Sequence, residues 1–171
     1  MLTTTKSLLD LTAFDLMSRN VVTIPRQMSL HAAAHMLAQA EISGAPVVDE
    51  HGRCVGMLSS TDVMRWVDRE EQSQRESTKA VAGCACCDWR RVDFQTLPAD
   101  AVSKVMTLDV VTAGPDTRIG KLASWMLDAQ IHRIVIADGQ GKPVGVVSTT
   151  DILAAVARED AMTGDPVFDL P

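Results

Sequence analysis

The chain spells one unit twice. Met17 aligns with Met106 without a gap, and the same offset of 89 residues sets Val21-Val22-Thr23 on Val110-Val111-Thr112, Ile42 on Ile131, Asp49 on Asp138, Gly52 on Gly141, Val55-Gly56 on Val144-Gly145 and Asp62 on Asp151. Register held over about 50 positions marks a duplicated structural unit. A unit of about 55 residues buries too little surface to be more than marginal alone. The two copies are therefore expected to pack face to face into one disc with pseudo-twofold symmetry.

Both copies give the same run of elements. A short helix ending near Met17 or Met106 leads into the extended Val-Val-Thr segment. Ser29 then begins a helix whose Leu30, Ala33, Ala34, Leu37 and Ala40 follow helical spacing, and Gly44 is expected to stop it. In the second copy Thr117 is the expected N-cap, with Ile119, Leu122, Ala123, Met126 and Ala129 on the apolar face. Ala45-Pro46-Val47-Val48, a turn at Glu50-His51-Gly52-Arg53 and a strand from Cys54 to Leu58 follow, matched by Ile134 to Ala137, a turn at Asp138-Gly139-Gln140-Gly141 and Val144 to Val147. A closing helix starts after Ser59 and after Ser148. The expected fold class is α/β, of the α+β kind, as two β-α-β-β-α repeats over residues 12–67 and 99–158. Between them residues 68–98 form a polar linker with a cysteine-rich segment, and residues 159–171 a C-terminal tail. The stretch DREEQSQRESTK (68–79) either prolongs the closing helix or frays into linker.

Tyrosine is absent and aromatic residues are 4%, so the core has to be built from Val, Leu, Ile, Ala and Met, in closely approaching elements. The net charge of -6, with no run of Lys or Arg to track phosphates, argues against nucleic acid as a partner. The N-terminal MLTTTKSLLDLTAFDLM is too short and too interrupted, at Asp10, for a signal peptide or a membrane span. The expected location is the cytoplasm, without a membrane partner.

The chemistry concentrates in one phrase, GMLSSTDV at 56–63 and GVVSTTDI at 145–152. Serine followed three residues later by an acid is a helix N-terminal signal: the hydroxyl accepts an orphan backbone N–H and the acid complements the dipole. The same place suits a ligand. N–H groups at a helix start attract phosphate, a carboxylate can accept both hydroxyls of a vicinal diol, and Gly56 and Gly145 would let a planar base approach the strand backbone. The two roles do not compete.

A duplicated unit with Gly-hydrophobic-hydrophobic-Ser-x-x-Asp after a strand, preceded by Pro46-Val47-Val48-Asp49 and led in by Val-Val-Thr, closely resembles the tandem CBS domain pair, or Bateman module, over most of the chain. The resemblance implies two clefts between the repeats that bind adenosine-containing ligands such as AMP, ATP or S-adenosylmethionine. It implies Asp62 and Asp151 on ribose hydroxyls and Ser59 and Ser148 on phosphate. Thr23 and Thr112 fall at positions on the base side, and Ile42, Ala45, Ile131 and Ile134 at its apolar walls, where core packing is the rival role. His132-Arg133 is similar to the His-Arg pair that contacts phosphates in the gamma subunits of AMP-activated protein kinase. The first copy has Ser43-Gly44 there and offers no cation. Val135 stands where the first copy has Pro46, a departure from the family pattern.

The resemblance also implies a homodimer through exposed apolar helix faces, with Met64, Trp66, Leu153 and Val156 as contacts. Little argues for an enzyme: no Ser-His-Asp arrangement and no Gly-rich phosphate loop is legible, and His31 and His35, an i, i+4 pair that could bind metal, better suit an exposed helix face. The expected function is a non-catalytic regulatory module that needs no cofactor, takes an adenosine nucleotide as regulatory ligand and signals its occupancy to an unidentified regulated protein. The alternative is a redox- or metal-responsive module sensing through Cys84, Cys86 and Cys87, with the repeats as dimerisation scaffold. Three local thiols beside Arg90 and Arg91 suit either use, but a structural zinc site needs a fourth ligand. Packed free thiols are the third possibility.

Overall fold

The computed structural model describes residues 6–75 and 101–163. In chain order the elements are α1 (Ala13–Leu16), β1 (Ile24–Pro25), α2 (Leu30–Gln39), β2 (Gly44–Val48), β3 (Cys54–Ser59), α3 (Ser60–Arg75), β4 (Thr112–Ala113), α4 (Ile119–Asp128), β5 (Arg133–Ala137), β6 (Pro143–Ser148) and α5 (Thr149–Thr163). The mixed α+β character expected from the sequence is what forms. The cysteine cluster at Cys84, Cys86 and Cys87 lies outside the described residues. Helix α3 carries the polar stretch that follows Val67 as far as Arg75.

Each unit holds one small sheet, β1-β2-β3 or β4-β5-β6, with the first pair parallel and the second antiparallel. The middle strand carries the core. Ala45, Pro46 and Val47 of β2 are buried, as are Ile134, Val135 and Ile136 of β5. Leu30, Ala33, Ala34 and Leu37 of α2 close over the first sheet, and Leu122 and Met126 of α4 over the second. The hairpin turns match as well. Gly52 and Gly141 take φ of 77° and 79°, a left-handed conformation that glycine adopts without a Cβ penalty.

The compact units do not follow the copies in the sequence. One consists of Val22–Val110 and the other of Met1–Val21 with Val111–Pro171. The lead-in of the first copy thus packs with the body of the second: Ala13 is fully buried in the core of Leu122, Ile134 and Val147, with Leu16 and Met17 beside it. The lead-in of the second copy packs with the body of the first, where Val102 and Met106 join Ile24, Leu37 and Val47. Main-chain bonds fix both arrangements, Ala13 N–H to the Thr117 carbonyl at 2.8 Å and Val102 N–H to the Met28 carbonyl at 2.8 Å.

Three local expectations are corrected. The parallel ladder of the first sheet begins at Ile24, after Val21-Val22-Thr23 rather than within it. Helix α2 ends at Gln39, not at Gly44. Its chain reverses through Glu41 at φ 54°, as α4 does through Gln130 at φ 52°, and Gly44 is already the first residue of β2. The N-cap of α4 is Arg118 and not Thr117. Arg118 is the residue that aligns with Ser29, so the duplicated register prevails over the better capping chemistry of its neighbour. Ser29 caps α2 by accepting the Ala32 N–H at 3.2 Å, whereas at α4 the aligned Lys121 N–H reaches the main-chain carbonyl of Arg118 at 3.0 Å.

Candidate functional site

Each repeat brings its Ser-x-x-Asp phrase to the junction between a sheet and its closing helix, and both junctions build the same device. Asp62 Oδ2 accepts the Ser59 N–H at 2.8 Å and the Ser59 hydroxyl at 2.6 Å, while Ser59 Oγ accepts the Asp62 N–H at 3.3 Å. Asp151 Oδ2 accepts the Ser148 N–H at 2.7 Å and its hydroxyl at 2.6 Å, with Ser148 Oγ accepting the Asp151 N–H at 3.3 Å. This is a reciprocal capping box with an aspartate in place of Glu or Gln. Each serine hydroxyl gives its proton to its own aspartate. Donation to a phosphate oxygen therefore requires the hydroxyl to turn away from Oδ2.

The junctions differ in what surrounds the box. Thr107 donates its hydroxyl to Asp62 Oδ1 at 3.3 Å, and Asp62 is only 9% exposed. Thr107 is a residue the sequence reading missed. The available signal was its place after Met106, aligned with Ser18 after Met17. Across the sheet, Ser148 pairs in register with Arg133, where Ser59 pairs with Gly44. Arg133 thus starts the strand beside the second junction, and the first has no side chain at all at that place.

The remaining expected site residues take the following places within their own units. Thr23 is half-buried just ahead of β1. Thr112 is exposed and, with Trp125, Asp128 and Ala129, lines a cavity of about 340 Å³. Ala45 and Ile134 are core residues at 1% and 0% exposure, and Ile42 and Ile131 pack against the cores from their edges. His132 parts from Arg133: it lines an apolar groove of about 590 Å³ with Leu127, Ile131, Ile152 and Leu153, and its carbonyl accepts the Thr149 N–H at 3.1 Å. Met106 and Met17 lie where a side chain on Gly56 and on Gly145 would stand.

Among the residues expected at a dimer contact, Leu153 and Val156 are 67% and 45% exposed, whereas Trp66 packs partly buried against its core. Among the described residues no group of three His, Cys, Asp or Glu side chains is placed to hold a metal ion. No described helix is long and apolar enough to cross a membrane.

The model of the CBS domain matches residues 13–69 and again 102–158. The chain is 29% identical over 129 residues to the uncharacterized protein MJ1404 of Methanocaldococcus jannaschii, a match covering 75% of this chain and 25% of that protein. It likewise spans only about a quarter of the length of several other curated relatives. Among solved structures, the CBS domain pair of protein MJ0100 in complex with 5′-methylthioadenosine and S-adenosyl-L-methionine superposes with a TM-score of 0.68 at 22% identity, over 87% of this chain and 98% of that one. CBSX2 in complex with AMP superposes with a TM-score of 0.65 at 20% identity, over 87% and 98%. These likenesses share the fold that the two sheets and their helices form.

Proposed function

This chain belongs to the CBS domain family, with two repeats, and on that premise we propose that it is a non-catalytic regulatory module. It binds an adenosine-containing ligand of the AMP, ATP or S-adenosylmethionine class at its Ser-x-x-Asp junctions and passes occupancy to a partner protein. The observation that carries this reading is the second junction, where the Asp151 carboxylate, the Ser148 hydroxyl and the start of the Arg133 strand stand together. A carboxylate can take the hydroxyls of a ribose, and a guanidinium matches a phosphate in shape and charge. The structural neighbours bound to AMP or to S-adenosylmethionine support the ligand class. Action in the cytoplasm as a homodimer, through the exposed Leu153 and Val156 of α5, completes the reading.

Thermal unfolding of the protein with AMP, ADP, ATP, NADH and S-adenosylmethionine tests it, beside the double variant D62A/D151A. A ligand at 100 times its Kd stabilises the folded state by about 2.7 kcal/mol, which raises Tm by several degrees in a domain of this size. The expected result is a shift with at least one adenosine compound that the double variant loses. No shift with any of them overturns the reading, and so does a shift that the double variant keeps.

A further inference from the structure

The two motif carboxylates are held differently. Asp62 has both oxygens engaged, Oδ2 by Ser59 and Oδ1 by the Thr107 hydroxyl, and it is buried. Asp151 is half-buried. Its Oδ2 is engaged in the same way by Ser148, and among the described residues none donates to its Oδ1.

The backbone is not the cause. Thr107 exchanges N–H and carbonyl bonds with Met57, both at 2.9 Å, and Ser18 does the same with Val146 at 3.0 and 3.2 Å. Both side chains are thus delivered to equivalent places beside β3 and β6. They differ by one methyl group. Both residues are exposed, but the β-branch of threonine restricts χ1, whereas a serine there is free to turn its hydroxyl to water.

We propose that the two junctions are unequal by construction: the Asp151 junction is the higher-affinity nucleoside site, and Thr107 is a positioning residue that holds the Asp62 carboxylate in its helix-capping state. This rests on the adenosine-ligand reading above. With Oδ2 taken by the capping serine at both junctions, the oxygen left for ribose hydroxyls is Oδ1. Asp151 offers Oδ1 without breaking a bond to any described residue, whereas at Asp62 the ribose has to compete with Thr107 for Oδ1, which weakens binding by about tenfold, the worth of a hydrogen bond to a charged group. A phosphate widens the difference, because Arg133 stands opposite Ser148 and Gly44 opposite Ser59. A side chain at Gly44 is opposed by main chain, since its Cβ would lie 3.0 Å from the Leu58 carbonyl oxygen and 3.3 Å from Ser59 Cα.

Calorimetric titration of the full chain with AMP, or with S-adenosylmethionine if that gives the larger thermal shift, reads both sites in one isotherm. The expected wild-type result is two steps about tenfold or more apart. D151N removes the tighter step. T107V strengthens the weaker step by about tenfold, and S18T, which supplies the missing branch beside Asp151, weakens the tighter one several-fold. Opposite shifts from two substitutions at aligned positions are not what a general loss of stability produces, and if T107V fails to fold, S18T still decides. Two equal steps, loss of the tighter step in D62N rather than D151N, or weaker binding in T107V each overturn the inequality and leave the nucleotide reading standing. No heat and no thermal shift with any adenosine compound overturns both.

Discussion

The side chain of Met17 lies against the backbone of Gly145, and Met106 lies against Gly56 in the same manner. A Cβ on Gly145 would stand 2.7 Å from Met17 Cγ and 2.8 Å from Met17 Cβ, in addition to its contact with Sδ; a Cβ on Gly56 would stand 2.5 Å from Met106 Sδ and 3.1 Å from its Cγ. Absence of a side chain on the strand is thus what admits the lead-in segment of the other copy. These two glycines serve packing.

Alanine at either glycine is expected to destabilise by about 1–3 kcal/mol, the usual cost of overpacking a filled site. Gly145→Ala should cost more than Gly56→Ala, because its Cβ would overlap the stem of Met17 at 2.7 and 2.8 Å, whereas beyond Met106 Sδ the Cβ of Gly56 meets Met106 Cγ and the Thr107 carbonyl oxygen at 3.1 Å. Shortening the methionine in M17A/G145A should return part of the loss. Urea midpoints of the three variants and the wild type check the ranking, and equal midpoints for G145A and wild type would remove the packing role.

Loss of the capping hydroxyl is expected to cost about 1 kcal/mol in each of S59A and S148A, since each leaves an orphan N–H of the first helical turn without its partner. The aspartate keeps one backbone donor in either variant. If neither variant lowers the urea midpoint, the serines are not holding the helices.

Asp49 and Asp138 give the protein a defined acid response. Main-chain N–H groups of the turn, from Arg53 first for Asp49 and from Lys142 first for Asp138, hold both carboxyls below the ordinary range. A carboxyl depressed in the folded state stabilises fully above its unfolded value of about 3.9, and that stability is lost as pH falls through the lower folded value. The urea midpoint should therefore fall as pH is taken from about 5 to about 3, and fall less steeply in D49N/D138N. Parallel pH profiles would show that these turns carry none of the response.

Cys54 should be a slow thiol. Burial pushes its pKa up, against a weaker opposing effect of its contact with the Gly56 carbonyl at 3.5 Å. The thiolate is the reactive form, so alkylation of the Cys54 peptide by iodoacetamide near pH 8 should lag that of an unhindered cysteine and recover in urea. Equal rates in native and denatured protein would contradict the burial.

Much of this was legible in residues alone. The duplicated phrase placed Ser59 and Ser148 at helix starts because a capping box is local: all its donors and acceptors lie within four residues of one another. The turns at Gly52 and Gly141 were legible for the same reason. Where local chemistry and register conflicted, as at Thr117 and Arg118, the sequence was read for the better cap and the repeat decided otherwise. Glu41 and Gln130 gave no warning, since neither is a residue type that favours positive φ.

By itself the sequence determined that there are two like units, what elements each contains and where each closing helix begins. Only the tertiary structure decided which lead-in covers which sheet. Met17 and Met106 are alike, and so are Gly56 and Gly145, so either pairing satisfies the local pattern, and the choice rests on contacts between segments far apart in the chain. The same holds for Thr107. Its hydroxyl reaches Asp62 from a segment that the sequence assigns to the other copy, and that long-range contact adds to the exchange of Gly44 for Arg133 in making two nearly identical motifs physically different.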